Sequence, residues 1–161
     1  MPIGSMQQME VLELDPTSEN VIEIISDIDK LMNSLYPQES NQLLSLEELK
    51  GNNVYFIGIT ENNEILGCGA IVNKKDDGVY GELKRIYVKS KHRGKGLSKV
   101  ILQNLITHTK NIKLPIVRLE AGIRQPEALS LYTKIGFKER AEFGSYKYDP
   151  LSIYMELEIS T

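Results

Sequence analysis

Hydrophobic positions change their period several times along the chain, and each change marks an element. Val21, Ile24, Ile25, Ile28, Leu31, Met32 and Leu35 recur at three- and four-residue spacing, which predicts an amphipathic helix over residues 17–36. Asp15-Pro16 supplies a capping residue and a proline suited to a first helical turn, and Pro37 ends the helix. Ahead of it, Gln7–Leu14 alternates as a strand does. Behind it, Leu43–Lys50 closed by Gly51 predicts a shorter helix. Val54–Thr60 and Ile65–Asn73 are rich in β-branched and aromatic residues and are joined by the short connection Glu61–Glu64. Asp76-Asp77-Gly78 then turns the chain into a third strand, Val79–Lys89. Connections this short join antiparallel neighbours.

The helical period returns with Leu97, Val100, Ile101, Leu105 and His108, predicting a helix from about Gly94 to Lys110. Pro115–Glu120 is a short apolar strand. Pro126–Ile135 is a helix with proline at its start and Gly136 where a left-handed C-cap belongs. Ile153, Met155, Leu157 and Ile159 alternate through a last strand. The strands are antiparallel first and cross over helices later. That order predicts an α+β fold, a mixed and mostly antiparallel sheet with helices on both faces.

Composition narrows the class without changing the fold. At 161 residues the chain suits one core, and 41% hydrophobic with 25% charged residues is ordinary for a globular domain. Residues 6–161 read as a single domain, with Met1–Ser5 as a cloning remnant ahead of a natural start at Met6. No apolar run approaches the roughly 20 residues of a membrane span, and no basic-then-apolar segment opens the chain as a secretory signal would. Cys68 is the sole cysteine, so an intramolecular disulfide is impossible and a cytoplasmic location fits. Its setting, Gly67-Cys68-Gly69-Ala70, makes it a small buried hydrophobe rather than a nucleophile.

Charge is more telling in its distribution than in its total. A net charge of −3 and a pI near 5.5 argue against a nucleic-acid partner held by bulk charge. Yet seven Lys or Arg residues and no acid fall between Lys84 and Lys99. Three of them (Arg93, Lys95 and Lys99) are in or just past a glycine-bearing loop that leads from a strand into a helix. Glycines let backbone approach a ligand closely, and the free amides of a helix start attract anions. A pyrophosphate suits such a site. Neither the P-loop spacing nor the dinucleotide Gly-x-Gly-x-x-Gly spacing is present.

Arg93-Gly94-Lys95-Gly96-Leu97-Ser98 resembles the Gln/Arg-x-x-Gly-x-Gly/Ala signature of the GNAT superfamily of N-acetyltransferases, with Ser98 in the last position. Gly81–Val88 is similar to that family's central strand. Gln125-Pro126-Glu127-Ala128 and Leu131-Tyr132-Thr133-Lys134-Ile135-Gly136-Phe137 are similar to its last helix, with Gln125 where the family has Asn. The resemblance covers residues 54–159. It implies a GNAT-like sheet whose central strands splay apart, acetyl-CoA as co-substrate, and an amine on a small molecule or peptide as acceptor. It is compatible with a homodimer.

The resemblance also implies roles. The coenzyme would be held by Ile86, Tyr87, Val88, the loop Arg93–Ser98 (Arg93, Gly94, Lys95, Gly96, Leu97 and Ser98) and Gln125, with the Val88 amide polarising the thioester carbonyl. An ammonium must lose a proton before it attacks, and a departing thiolate leaves more easily when protonated. Glu82 on the central strand is the candidate base and Tyr132 the candidate acid. Glu82 also fits an ion pair with a cation on a neighbouring strand, and Tyr132 also fits packing beside Leu129 and Ile135. His92 and His108 lack Asp or Cys at ligand spacing, so no metal site is expected. Tyr146 and Tyr148, in the polar-aromatic segment Ala141–Pro150, are expected to line the acceptor site. Asp27, Glu47 and Glu48 on the first helices would favour a cationic acceptor. Lys84 and Arg85 point in opposite directions from the central strand.

Two other classes stay open. One is a non-catalytic acyl-CoA sensor that keeps the loop and lacks turnover. The other is a phosphate-binding module for nucleotides or RNA, with salt-sensitive binding.

Overall fold

Phe56 and Ile57 are neighbours in the chain and are buried in different cores, because successive strand residues point to opposite faces of a sheet. The computed structural model of the chain describes residues 8–41 and 43–159. Met1–Ser5 and Gln7, the predicted start of the first strand, lie outside the described residues. The elements are β1 (Glu10–Glu13), α1 (Glu19–Leu35), α2 (Leu46–Leu49), β2 (Val54–Glu61), β3 (Glu64–Lys74), β4 (Tyr80–Val88), α3 (Leu97–Asn111), β5 (Ile116–Gly122), α4 (Pro126–Ile135), β6 (Lys138–Arg140) and β7 (Ser152–Glu158). They build one sheet in the order β1-β2-β3-β4-β5-β7-β6.

Each face has its own cover. Val21, Ile24, Ile25 and Ile28 of α1 and Leu49 of α2 pack on Phe56, Ile65, Ala70 and Val72. On the other face, Ile101, Leu102 and Leu105 of α3 and Tyr132 of α4 pack on Ile57, Leu66, Leu83 and Leu119. Apolar residues at these spacings gain roughly 1.5–3 kcal/mol each from leaving water, which makes the amphipathic periods decisive. Cys68 lies fully buried in the first core, and burial pushes its thiol up to about 12. The mostly antiparallel sheet with helices on both faces is the architecture the patterning predicts.

Three helix boundaries differ from the sequence expectation, several strand ends shift by a few residues, and one short strand was not expected. The N-cap of α1 is Ser18, because the Asp15 carboxylate accepts hydrogen bonds from the Thr17 amide (2.9 Å) and hydroxyl (2.7 Å) and forms a turn around Pro16. The second helix is one turn, held by a capping box in which Ser45 and Glu48 bond each other's backbone. Gly94 and Gly96 have φ of +80° and +77°, which no helix accommodates, so α3 begins at Leu97. The short strand β6 carries no periodicity of its own and forms by pairing with β7.

The centre of the sheet is where the site is made. Only β4 and β5 are parallel, and they pair at two positions alone, Gly81 with Val117 and Glu82 with Arg118. Beyond these, β4 continues to Val88 and β5 to Gly122 with no pairing between them, so the strands splay. A bulge in β4 accompanies the splay. Tyr87 opposes Cys68 and Lys84 opposes Ala70, leaving Arg85 and Ile86 against Gly69 alone. Arg85 takes φ of +59° there. Its guanidinium is anchored, Nε donating to the Leu44 carbonyl (2.9 Å) and Nη1 to Asp29 (2.6 Å). A Cβ on Gly69 would come within 2.7 Å of both Ile101 and Ile86, so glycine opposite the bulge lets these side chains close on the backbone.

Candidate active site

An antiparallel ladder alternates the edge to which backbone groups point. The Lys89 amide donates to the Leu66 carbonyl (2.9 Å), so Val88, opposite Gly67, holds the non-bonded position. Its own N–H and C=O therefore face away from β3 and into the gap left by the splay. By the same alternation Tyr87 turns its backbone to Cys68 and contributes its ring instead. The Arg93 guanidinium lies 5.7 Å from that ring, and its Nε donates to the Val88 carbonyl (3.0 Å). The Val88 carbonyl is thus occupied and its N–H is the group offered to the gap.

The loop Arg93–Ser98 lies at the end of this strand. Around Gly94 and Gly96 a Cβ would meet nothing within 4 Å, so open space adjoins the turning backbone. The first intrahelical bond runs from the Val100 amide to the Gly96 carbonyl (3.2 Å), leaving the amides of Leu97, Ser98 and Lys99 at the helix start. Lys95 and Lys99 are exposed beside them. Glu64 secures the approach to the loop through Lys91 (3.1 Å), His92 (3.5 Å) and Lys89 (3.6 Å). The bond from Lys91 holds its carboxyl below the usual range. His108 stacks on Tyr55 at 3.8 Å, and burial lowers its imidazole. Among the described residues no group of three or more His, Cys, Asp or Glu side chains is placed to hold a metal ion.

A cavity of about 330 Å³ opens among β5, β7 and the segment between β6 and β7, with Glu39, Glu120, Tyr146, Tyr148 and Asp149 in its wall. A smaller recess lined by Met32, Tyr36 and Leu151 shares Glu120, Ser40 and Ser152 with it. Neither Asp27, Glu47 nor Glu48 lines either space. Glu47 is spent on Lys50 (2.8 Å) and Glu48 on the capping box. Glu120 accepts a hydrogen bond from the Ser152 hydroxyl (2.7 Å), and burial pushes its carboxyl up. Tyr132 is buried on α4. Burial first, and then the charge of Glu120, hold its phenol well above the ordinary value.

Glu82 has no exposed surface. One carboxylate oxygen faces Lys74 Nζ at 2.9 Å; the other accepts from the Tyr146 hydroxyl at 2.5 Å and lies 3.3 Å from Lys84 Nζ. Lys84 and Arg85 do diverge, the first to Tyr146 and the second to Asp29. Gln125 is the N-cap residue of α4, and its side-chain oxygen accepts from the Tyr36 hydroxyl (3.3 Å). Sequence reasoning did not single out Glu120, whose signal there is a carboxylate between Leu119 and Ala121 near the end of β5.

Residues 21–137 match the sequence model of the Acetyltransferase (GNAT) family. The chain belongs to that family. This GNAT N-acetyltransferase is 34% identical over 151 residues to the IAA acetyltransferase of Azospirillum brasilense, covering 94% of this chain and 98% of that one. An acetyltransferase of the GNAT family from Staphylococcus aureus superposes with a TM-score of 0.79 at 18% identity, over 95% of this chain and 100% of that one. The PaiA N-acetyltransferase of Thermoplasma acidophilum, solved with coenzyme A, superposes with a TM-score of 0.73 at 20% identity, over 94% and 99% of the two chains. At such identities the two structures speak for the fold. Among the described residues of this GNAT protein no helix is long and apolar enough to cross a membrane.

Proposed function

We propose that the chain transfers an acetyl group from acetyl-CoA to a primary amine by direct attack. One observation carries this reading: the splay leaves the Val88 backbone amide without a partner strand, just ahead of a loop with open space around Gly94 and Gly96. The open space at Gly94 and Gly96, the amides of Leu97 and Ser98 and the side chains of Lys95 and Lys99 suit a pyrophosphate. The free edge of β4 from Ile86 to Val88 suits the amide groups of a pantetheine arm.

The chemistry then follows from the residues at the gap. An alkylammonium, with a reference pKa near 10.4, must give up a proton. Glu120 takes it, directly or through a water, because burial has made this carboxylate a stronger base than an exposed one. The amine nitrogen bonds to the carbonyl carbon and the carbon–sulfur bond breaks. The Val88 N–H stabilises the oxygen as charge gathers on it. Tyr132 donates its proton to the leaving thiolate, burial keeping that proton on the phenol until then, and the second proton shed by the attacking nitrogen restores the phenol. Glu82 is less available to the acceptor than Glu120, since it has no exposed surface and is paired with Lys74, Lys84 and Tyr146.

The test is release of coenzyme A from acetyl-CoA across a panel of primary amines, beside calorimetric binding of acetyl-CoA. Turnover with at least one amine supports the proposal. Tight binding with no release from any amine supports the sensor reading instead.

A further inference from the structure

The cluster Lys74–Glu82–Lys84–Tyr146 is left without a part in the proton transfers. Burying a carboxylate is costly unless it is paired and hydrogen-bonded, so a cluster of this kind needs a reason to exist. Three of its members are on the hairpin β3–β4. The fourth, Tyr146, comes from the segment joining β6 to β7, which is remote in sequence and forms a wall of the cavity.

The Tyr146 oxygen is fully committed. It donates to Glu82 at 2.5 Å and accepts from Lys84 Nζ at 2.5 Å. The ring lines the cavity wall with Lys84 Nζ 5.1 Å from its centroid, and it is held by aromatic neighbours. Phe143 meets it edge-on at 5.1 Å and Tyr154 lies at 5.5 Å. Burial and the Glu82 charge hold the phenol above its ordinary range, so at neutral pH the hydroxyl is the donor to Glu82. The carboxylates of Glu39, Glu120 and Asp149, which share the cavity wall with Tyr146, suit an alkylammonium group.

We propose that Glu82 and Lys84 form a latch on Tyr146 that sets the position of the acceptor wall, so that Glu82 governs affinity for an alkylammonium acceptor without touching it. Glu82 is then a positioning residue. This rests on the acetyltransferase reading for its substrate and on the geometry alone for the latch.

Two measurements on Glu82→Gln and Tyr146→Phe separate the parts. The first needs no substrate: trypsin cleavage after Lys147, one residue past the latch. Both variants should be cut roughly tenfold faster than the parent, as loss of a charge-assisted hydrogen bond implies. Unchanged cleavage in both overturns the latch, whether or not any amine is a substrate. The second uses propylamine, hexylamine and 1,4-diaminobutane as acceptors. For each amine turned over, KM should rise roughly tenfold while kcat and acetyl-CoA affinity stay within about threefold. The double variant should be no worse than the worse single one, because both break the same unit. A collapse of kcat in Glu82→Gln with KM unchanged would make Glu82 the base and overturn the proposal.

Discussion

Glu82 and Arg118 face each other across the last paired position of β4 and β5, and the splay begins one residue beyond them. Arg118 is itself held, its Nε donating to Glu156 at 2.8 Å and its guanidinium 4.6 Å from the Tyr80 ring. The point at which the strands part is therefore fixed from both sides.

Glu120→Gln should lower kcat by about a hundredfold or more, with acetyl-CoA affinity preserved. The same variant should gain stability at neutral pH. Burial raises the folded-state value of this carboxyl, so the native protein holds the proton more tightly than the unfolded chain. Stability then falls as pH rises from the usual carboxylate value through the raised one, and a neutral amide escapes that loss. Thermal melts should place the variant at or above the parent at pH 7 and bring the two together in acid. Full activity in the variant would remove Glu120 as base.

For Tyr132→Phe the expected loss is about tenfold to a hundredfold in kcat, since protonation of the thiolate is lost and the ring packing is kept. The phenol is raised by burial, so the parent's activity should persist to alkaline pH beyond the usual tyrosine range. A pH–rate profile of both proteins checks this. An unchanged kcat would leave Tyr132 as a packing residue.

Gly96→Ala isolates backbone conformation, because the added Cβ meets no atom within 4 Å. At φ of +77° an alanine costs about 1–2 kcal/mol, and relief of that strain would rotate the helix-start amides. Acetyl-CoA binding by calorimetry should weaken, with a modest fall in melting temperature. Equal affinity in parent and variant would argue against the loop as the phosphate site.

Arg85→Ala should destabilise the fold by about 1–3 kcal/mol in urea titrations, through loss of the bonds to Leu44 and Asp29. Arg85→Gly loses the same bonds but relaxes a φ of +59°. It should therefore be the more stable of the two variants. The reverse order would mean that the bulge stores no strain.

The parts of this structure that are legible in sequence are those with a local cause. The period of Val21–Leu35 and the proline and glycine bounding Pro126–Ile135 each specify an element through its own residues. Gly94 and Gly96 were visible as loop residues, although not as the feature that delays α3 to Leu97. The rest depends on residues far apart. Nothing in β4 or β5 alone says that they pair at only two positions, and nothing in Tyr80–Val88 says that Arg85 occupies a bulge. Glu120 gains its character from burial, against which the Ser152 hydrogen bond works, and Glu82 is bonded by a tyrosine from a distant segment.

The two-position pairing of β4 with β5 has a mechanical consequence. It makes the sheet a hinge-like seam between two leaves, β1–β4 and β5–β7–β6, with few backbone bonds across it. Side chains of the shared core carry the load that a full ladder would otherwise share. A coenzyme arm lying along the free edge of β4 would act as a crossbeam between the leaves. Occupancy and rigidity of the molecule are thereby tied together.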